Sequence, residues 1–192
     1  VIVSYQGEPM TEDRPPSDAA RENGFGAWTD HRIPEDRSGW HPLVQTFYDY
    51  WLAAAPPGRL PGRQHVRPED LAPLLSRLWL LDVYRDPLRF RYRLAGTDIV
   101  RSVGRELTNG WLDEVQPETL QNPMLRDRYR YIVETGRPTW RRGPSFWVRN
   151  PLHRIIENCL VPLAADGQNV DMVFAVSVLF DASGQQLAGS YF

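Results

Sequence analysis

Asp82 interrupts an otherwise apolar run, Leu78-Trp79-Leu80-Leu81-Asp82-Val83, and a carboxylate in such a setting is a candidate general base. A buried carboxylate without a partner resists ionisation, and an isomerase or hydrolase can exploit that. Arg91 and Arg93 stand close by in the chain, however, and either would make Asp82 half of a structural ion pair. Cys159 is the single cysteine, and a buried free cysteine usually behaves as a small hydrophobe, so a core position is expected. Histidines 31, 41, 65 and 153 are far apart and share no metal-ligand spacing with Cys159 or a carboxylate. No glycine-rich phosphate loop, G-x-S-x-G elbow or H-E-x-x-H helix occurs. No catalytic residue, metal or cofactor is expected.

The elements that must position these residues start with a hairpin. Two runs rich in Leu, Val, Tyr, Phe and Trp flank Asp86-Pro87, a dipeptide that presets a turn. The second arm alternates Arg89, Phe90, Arg91, Tyr92, Arg93, Leu94, which at a period of two puts three arginines on one face and three apolar groups on the other. The first arm is apolar on both faces apart from Asp82, as a central strand is.

Helical spacing appears on both sides of the hairpin. Leu43, Phe47, Tyr50, Trp51 and Ala54 predict a helix from Pro42 to Ala55, stopped by Pro56-Pro57-Gly58. Its four aromatics exceed what one side of a short helix easily buries, so a homodimer through residues 42–55 is expected. Pro68 with Glu69 and Asp70 starts a helix that Pro73 makes short or kinked, and Gly96-Thr97-Asp98 reads as turn plus N-cap of a helix of about two turns, with Ile99, Val100 and Val103 on one apolar face and Gly104 at its end. Pro123 to Thr135 is the clearest helix: Leu125, Tyr129, Ile132 and Val133 make its apolar face, and arginines 126, 128 and 130 with Asp127 its polar one. Three strands follow, Thr139 to Val148, Arg154 to Leu163 and Val170 to Asp181, separated by Asn150-Pro151 and Asp166-Gly167.

Two hairpin strands and three meander strands form one antiparallel sheet only if the helical segment between them crosses a face, leaving a cavity between helices and sheet. The fold class is α+β. The strand ending in an acidic residue, the tight turn, Phe90-Arg91-Tyr92-Arg93-Leu94-Ala95-Gly96-Thr97 and the later Gly104-Arg105-Glu106-Leu107-Thr108-Asn109-Gly110 resemble the opening of a PAS domain, closest to the short, free-standing bacterial PAS proteins. In element order the resemblance covers Pro42 to Asp181. It implies a five-stranded antiparallel sheet with helices over one face and the first and last strands adjacent at its centre, here carrying an N-terminal helical extension. It also implies a sensory or ligand-binding module without fixing its chemistry. The alternative is an enzyme of the cone-shaped nuclear-transport-factor-like fold using Asp82, but that fold usually places its helices before most of its strands.

Asn158-Cys159 superficially resembles the Asn-Cys-Arg of flavin-binding, light-sensing PAS domains. Leu160 replaces the arginine, and the pair lies on a strand rather than a helix. His153 likewise opens a strand, whereas haem-ligating PAS histidines sit on the covering helices. What remains is an interior box in which Tyr92, Trp111, Leu125, Tyr129, Trp147, Asn158 and Ser177 are expected to converge, suited to a small, mostly apolar or aromatic ligand.

All 22 basic residues are arginine, but the net charge of -2 disfavours nucleic acid and anionic lipid as partners. Arg141, Arg142 and Arg149 predict a basic sheet edge that is either solvated or used for anion or carboxylate recognition. The longest apolar run, Met172 to Phe180, is too short to span a bilayer, and a lone cysteine suits a reducing compartment, so a cytoplasmic location is expected. Residues 1–41, polar with scattered aromatics, read as an arm, 42–181 as the domain and 182–192 as a tail, with a signalling partner protein as a further expected contact.

Overall fold

The computed structural model describes residues 33–145 and 155–187. Strands β1 (Leu78–Tyr84), β2 (Arg89–Ala95), β3 (Thr139–Pro144), β4 (Ile155–Leu163) and β5 (Met172–Phe180) form one antiparallel sheet in the order β2-β1-β5-β4-β3. The first and last strands pair at its centre, from Leu78 opposite Val176 to Asp82 opposite Met172. This is the expected PAS-like arrangement. Because β1, β4 and β5 are covered on both faces, they read as nearly continuous apolar runs.

Helix α1 (Pro42–Ala54) covers the outer face. Pro42 sits in its first turn, and the Leu43 amide donates to His41 Nδ1 at 3.2 Å, which leaves His41 Nε2 to donate to Gln186 Oε1 at 2.9 Å. Val44, Phe47, Tyr48 and Trp51 recur at helical spacing and are buried against Cys159, Val161, Phe174 and Val176. Trp51 Nε1 also donates to the Pro162 carbonyl at 2.9 Å. These aromatics are used on the chain's own sheet, which removes the reason given for a homodimer through residues 42–55. The exposed face of α1 is Gln45, Thr46, Asp49, Leu52 and Ala53. Trp40 stacks on Trp140 with ring centroids 5.3 Å apart, so packing begins ahead of Pro42.

The inner face carries α2 (Thr97–Val103), α3 (Leu112–Val115), α4 (Pro117–Gln121) and α5 (Pro123–Thr135). Asn122 Oδ1 accepts from the Met124 and Leu125 amides at the start of α5, and Gly136 ends it at φ 63°. Between α1 and β1, Pro68–Arg77 forms a 3-10 segment kinked at Leu71, in keeping with its internal proline.

One departure from strict alternation shapes the edge of the sheet. Leu81 pairs with Tyr92 and Leu80 with Leu94, so Arg93 is an extra residue, a β-bulge. The bulge turns Leu94 away from the face shared by Phe90 and Tyr92. It lies 48% exposed beside Leu75 and Leu80 on the outer side. The expectation that all three apolar residues share a face is therefore corrected, because a period of two survives only while the register does.

Candidate functional site

Between the sheet and α2–α5 lies a small enclosed cavity of about 20 Å³, room for a water-sized occupant. Trp79 from β1, Tyr92 from β2, Ile99 from α2, Gln116 and Thr119 around the start of α4, Leu125, Arg128 and Tyr129 from α5, Arg141 from β3 and Asn158 from β4 line it. A larger depression of about 750 Å³ opens between the end of α5 and the β4–β5 turn, beside Arg59, Arg85, Glu134 and Gly167. That depression faces solvent, whereas in the enclosed cavity the polar groups are buried and convergent, which is the mark of a built site.

Arg128 dominates the cavity. Its Nε donates to Thr139 Oγ1 at 2.8 Å, Nη1 to Asn158 Oδ1 at 2.6 Å, and Nη2 to the carbonyls of Thr139 and Asn158 at 3.2 and 3.3 Å. Every acceptor is neutral. Burial draws the guanidinium down to about 10, still well above neutral pH, so Arg128 remains a cation. Arg141, opposite Asn158 in the sheet register, donates from Nη1 and Nη2 to the Pro144 carbonyl at 3.1 and 3.0 Å. Burial first, and the neighbouring Arg128 charge second, draw it down to about 9. No carboxylate lines the cavity among the described residues.

The other polar groups sort into satisfied and unsatisfied. Tyr92 donates through its hydroxyl to Gln116 Oε1, and Trp79 Nε1 donates to Ser177 Oγ at 2.9 Å. Burial pushes the Tyr129 phenol up to about 12 against the pull of Arg128 and Arg141, and pushes Tyr92 well up. Thr119 Oγ1 is buried and has no hydrogen-bond partner among the described residues. Aromatic walls complete the space, with Trp79 6.2 Å from Tyr92 and 6.5 Å from Tyr129 between ring centroids.

The family model described as PAS domain matches residues 40–126, from the segment ahead of α1 to the first turn of α5. The chain carries a PAS domain. No curated protein and no solved structure matches it.

Within this PAS domain the expected box is only partly assembled. Tyr92, Leu125, Tyr129 and Asn158 line the cavity. Ser177 lies behind Trp79 as its hydrogen-bond acceptor and does not line the space. Trp111 lies elsewhere: the backbone of Asn109 to Trp111 pairs with the free edge of β2, and the indole packs under Arg89 at 4.1 Å and beside Tyr84 at 4.9 Å. Trp147 falls outside the described residues, as do Arg149, His31 and His153.

Arg128 and Arg141 reverse two expectations. Arg128 is expected on a solvated helix face and Arg141 on a basic sheet edge, either solvated or used for anion or carboxylate recognition, yet Arg128 is 1% and Arg141 0% exposed. For Arg128 the signal was present, since residues 125, 128, 129 and 132 share one helical face and only the charge argued against it. For Arg141 the period of two puts it with Thr139 on the inner face, while Trp140 belongs to the outer layer and Arg142 lies 3.5 Å from the outer-side Glu157 and over the Phe180 ring. Cys159 is buried in the outer layer, where burial pushes its thiol up. Asp82 pairs with Arg93 at 2.8 Å and does not line the cavity.

Proposed function

We propose that this PAS domain is a non-catalytic sensory module in which a small molecule occupies the inner cavity and changes the contacts between α2–α5 and the sheet. The observation that carries the reading is the convergence of side chains from four strands and three helical segments on one enclosed space, with Tyr92, Gln116, Thr119, Arg128, Tyr129, Arg141 and Asn158 its polar members and the Thr119 hydroxyl without a partner among the described residues. Each buried polar group without a partner costs free energy that an apolar lining would avoid. An occupant that satisfies such a group offsets that cost. Because the lining comes from so many elements, its presence is felt across both layers, and output passes to a partner protein that reads the change.

The lining is more polar than the aromatic box expected from sequence, so the ligand carries a polar end against Arg128, Thr119 and Asn158 and an apolar part against Trp79, Tyr92 and Tyr129. An enzyme using Asp82 gains no support, because that carboxylate is engaged by Arg93 away from the cavity. Among the described residues no helix is long and apolar enough to cross a membrane, and no cluster of side chains is suited to a metal ion.

Native mass spectrometry of the purified chain, with an absorption spectrum, tests the proposal. The expected result is an added small-molecule mass that is lost in Tyr92→Ala while the fold is retained. A bare chain mass after exposure to a broad metabolite extract, or an added mass indifferent to Tyr92→Ala, would overturn it.

A further inference from the structure

The charge of the cavity says more about its occupant than its shape does. Arg128 and Arg141 are both buried, both cationic at neutral pH, and face the same space. The four hydrogen bonds of Arg128 all end on neutral oxygens, so its donors are largely satisfied while its charge is not. Glu157, next to Asn158 on β4, points to the opposite face of the sheet. There its Oε1 accepts from the His41 amide at 2.7 Å and from Trp140 Nε1 at 3.1 Å. Two like charges removed from water repel each other, and an anion placed between them relieves both the repulsion and the desolvation.

We propose that the inner cavity binds a small monocarboxylate, held by the charges of Arg128 and Arg141 and by a hydrogen bond from the Thr119 hydroxyl. This rests on the reading of the cavity as the ligand site and names the chemistry it selects. A carboxylate matches guanidinium donors better than a spherical anion does, and it accepts from a hydroxyl at the same time. The volume of about 20 Å³ has room for a water-sized group only, so even formate or acetate enters by moving the lining side chains apart, which restricts the occupant to the smallest monocarboxylates. Thr119 is the independent sign. It lines the cavity and is 3% exposed, and its hydroxyl is buried with no partner among the described residues, the state expected of a donor reserved for a ligand.

The test is titration of the full chain with sodium formate, acetate and propionate at fixed ionic strength, with sodium chloride as the balancing salt and acetamide as the neutral isostere. Thermal shift and calorimetry are read together. Thr119→Val removes a hydroxyl that has no hydrogen-bond partner among the described residues, so the variant is expected to fold, and Thr119→Ser keeps the donor. The expected result is stabilisation by acetate but not by acetamide or matched chloride. Affinity falls about tenfold in Thr119→Val, the loss of one charge-assisted hydrogen bond, and is retained in Thr119→Ser. No stabilisation by any carboxylate, or equal stabilisation of Thr119→Val and the parent chain, would overturn the proposal. Binding of acetamide as tight as that of acetate would overturn the carboxylate while leaving a small-molecule site in the cavity intact.

Discussion

Arg128 of α5 grips Asn158 of β4 twice, through Nη1 to the side-chain oxygen at 2.6 Å and through Nη2 to the backbone carbonyl at 3.3 Å. With its two bonds to Thr139 it ties the helical layer to β3 and β4. A lysine keeps the charge but presents a compact ammonium that cannot span four acceptors. Arg128→Lys is expected to cost about 1–3 kcal/mol, the penalty of leaving a buried acceptor unmet. Urea unfolding should show a lower midpoint with an unchanged slope. A midpoint equal to that of the parent would mean the grip adds nothing.

Tyr92 and Tyr129 should ionise above the ordinary tyrosine range. The unfolded chain loses the Tyr129 proton near pH 10 and the folded chain near 12, so between those values the folded chain binds more protons. The stability this group contributes is present below pH 10 and lost as the pH rises towards 12. Phenolate absorbance should rise for the exposed tyrosines first, with a late step that shrinks in Tyr129→Phe. Uniform ionisation near pH 10 with the fold intact would contradict the burial of both rings.

Gly96 is required by close approach. A Cβ there would stand 2.4 Å from the carbonyl oxygens of both Leu75 and Ser76. These are backbone atoms of the 3-10 segment that leads into β1, and they cannot swing aside. Gly96→Ala is expected to cost about 1–3 kcal/mol through overpacking. Gly39→Ala, where nothing lies within 4 Å, should stay within about 0.5 kcal/mol of the parent. Equal melting temperatures for the two variants would show that the junction between β2 and α2 yields easily.

Much of the fold was legible because periodicity survives wherever one face is buried. The helix over residues 123–135 and the hairpin around Asp86-Pro87 follow directly from spacing and turn chemistry. The bulge at Arg93 was not legible, since a register shift is settled by what the strand packs against and leaves no local mark. Trp111 was misplaced for a related reason: only the folded sheet edge offers the backbone partners that hold residues 109–111 there. The arginines were missed because burial of a charge runs against the usual partition of residue types, although spacing pointed inward.

Helix α1 is the cover of the outer sheet face. Removing residues 1–58 exposes Phe174, Val176, Val178 and Val161 together, an apolar surface too large for a stable monomer. The truncated chain is expected to aggregate or to lose its cooperative melting transition, followed by light scattering and near-ultraviolet circular dichroism. A soluble, cooperatively folding fragment would show that the outer layer is dispensable.

The central claim is that this PAS domain receives its ligand in the inner cavity. The most direct measurement is a ¹⁵N NMR titration of the full chain with a library of small fragments. It reads the Trp79 indole N–H and the side-chain amides of Gln116 and Asn158, which line that space. The account predicts that binding fragments shift these three signals together and leave the Trp51 indole, which is bonded to Pro162 in the outer layer, unmoved. Fragments that bind while shifting only outer-layer signals would contradict it.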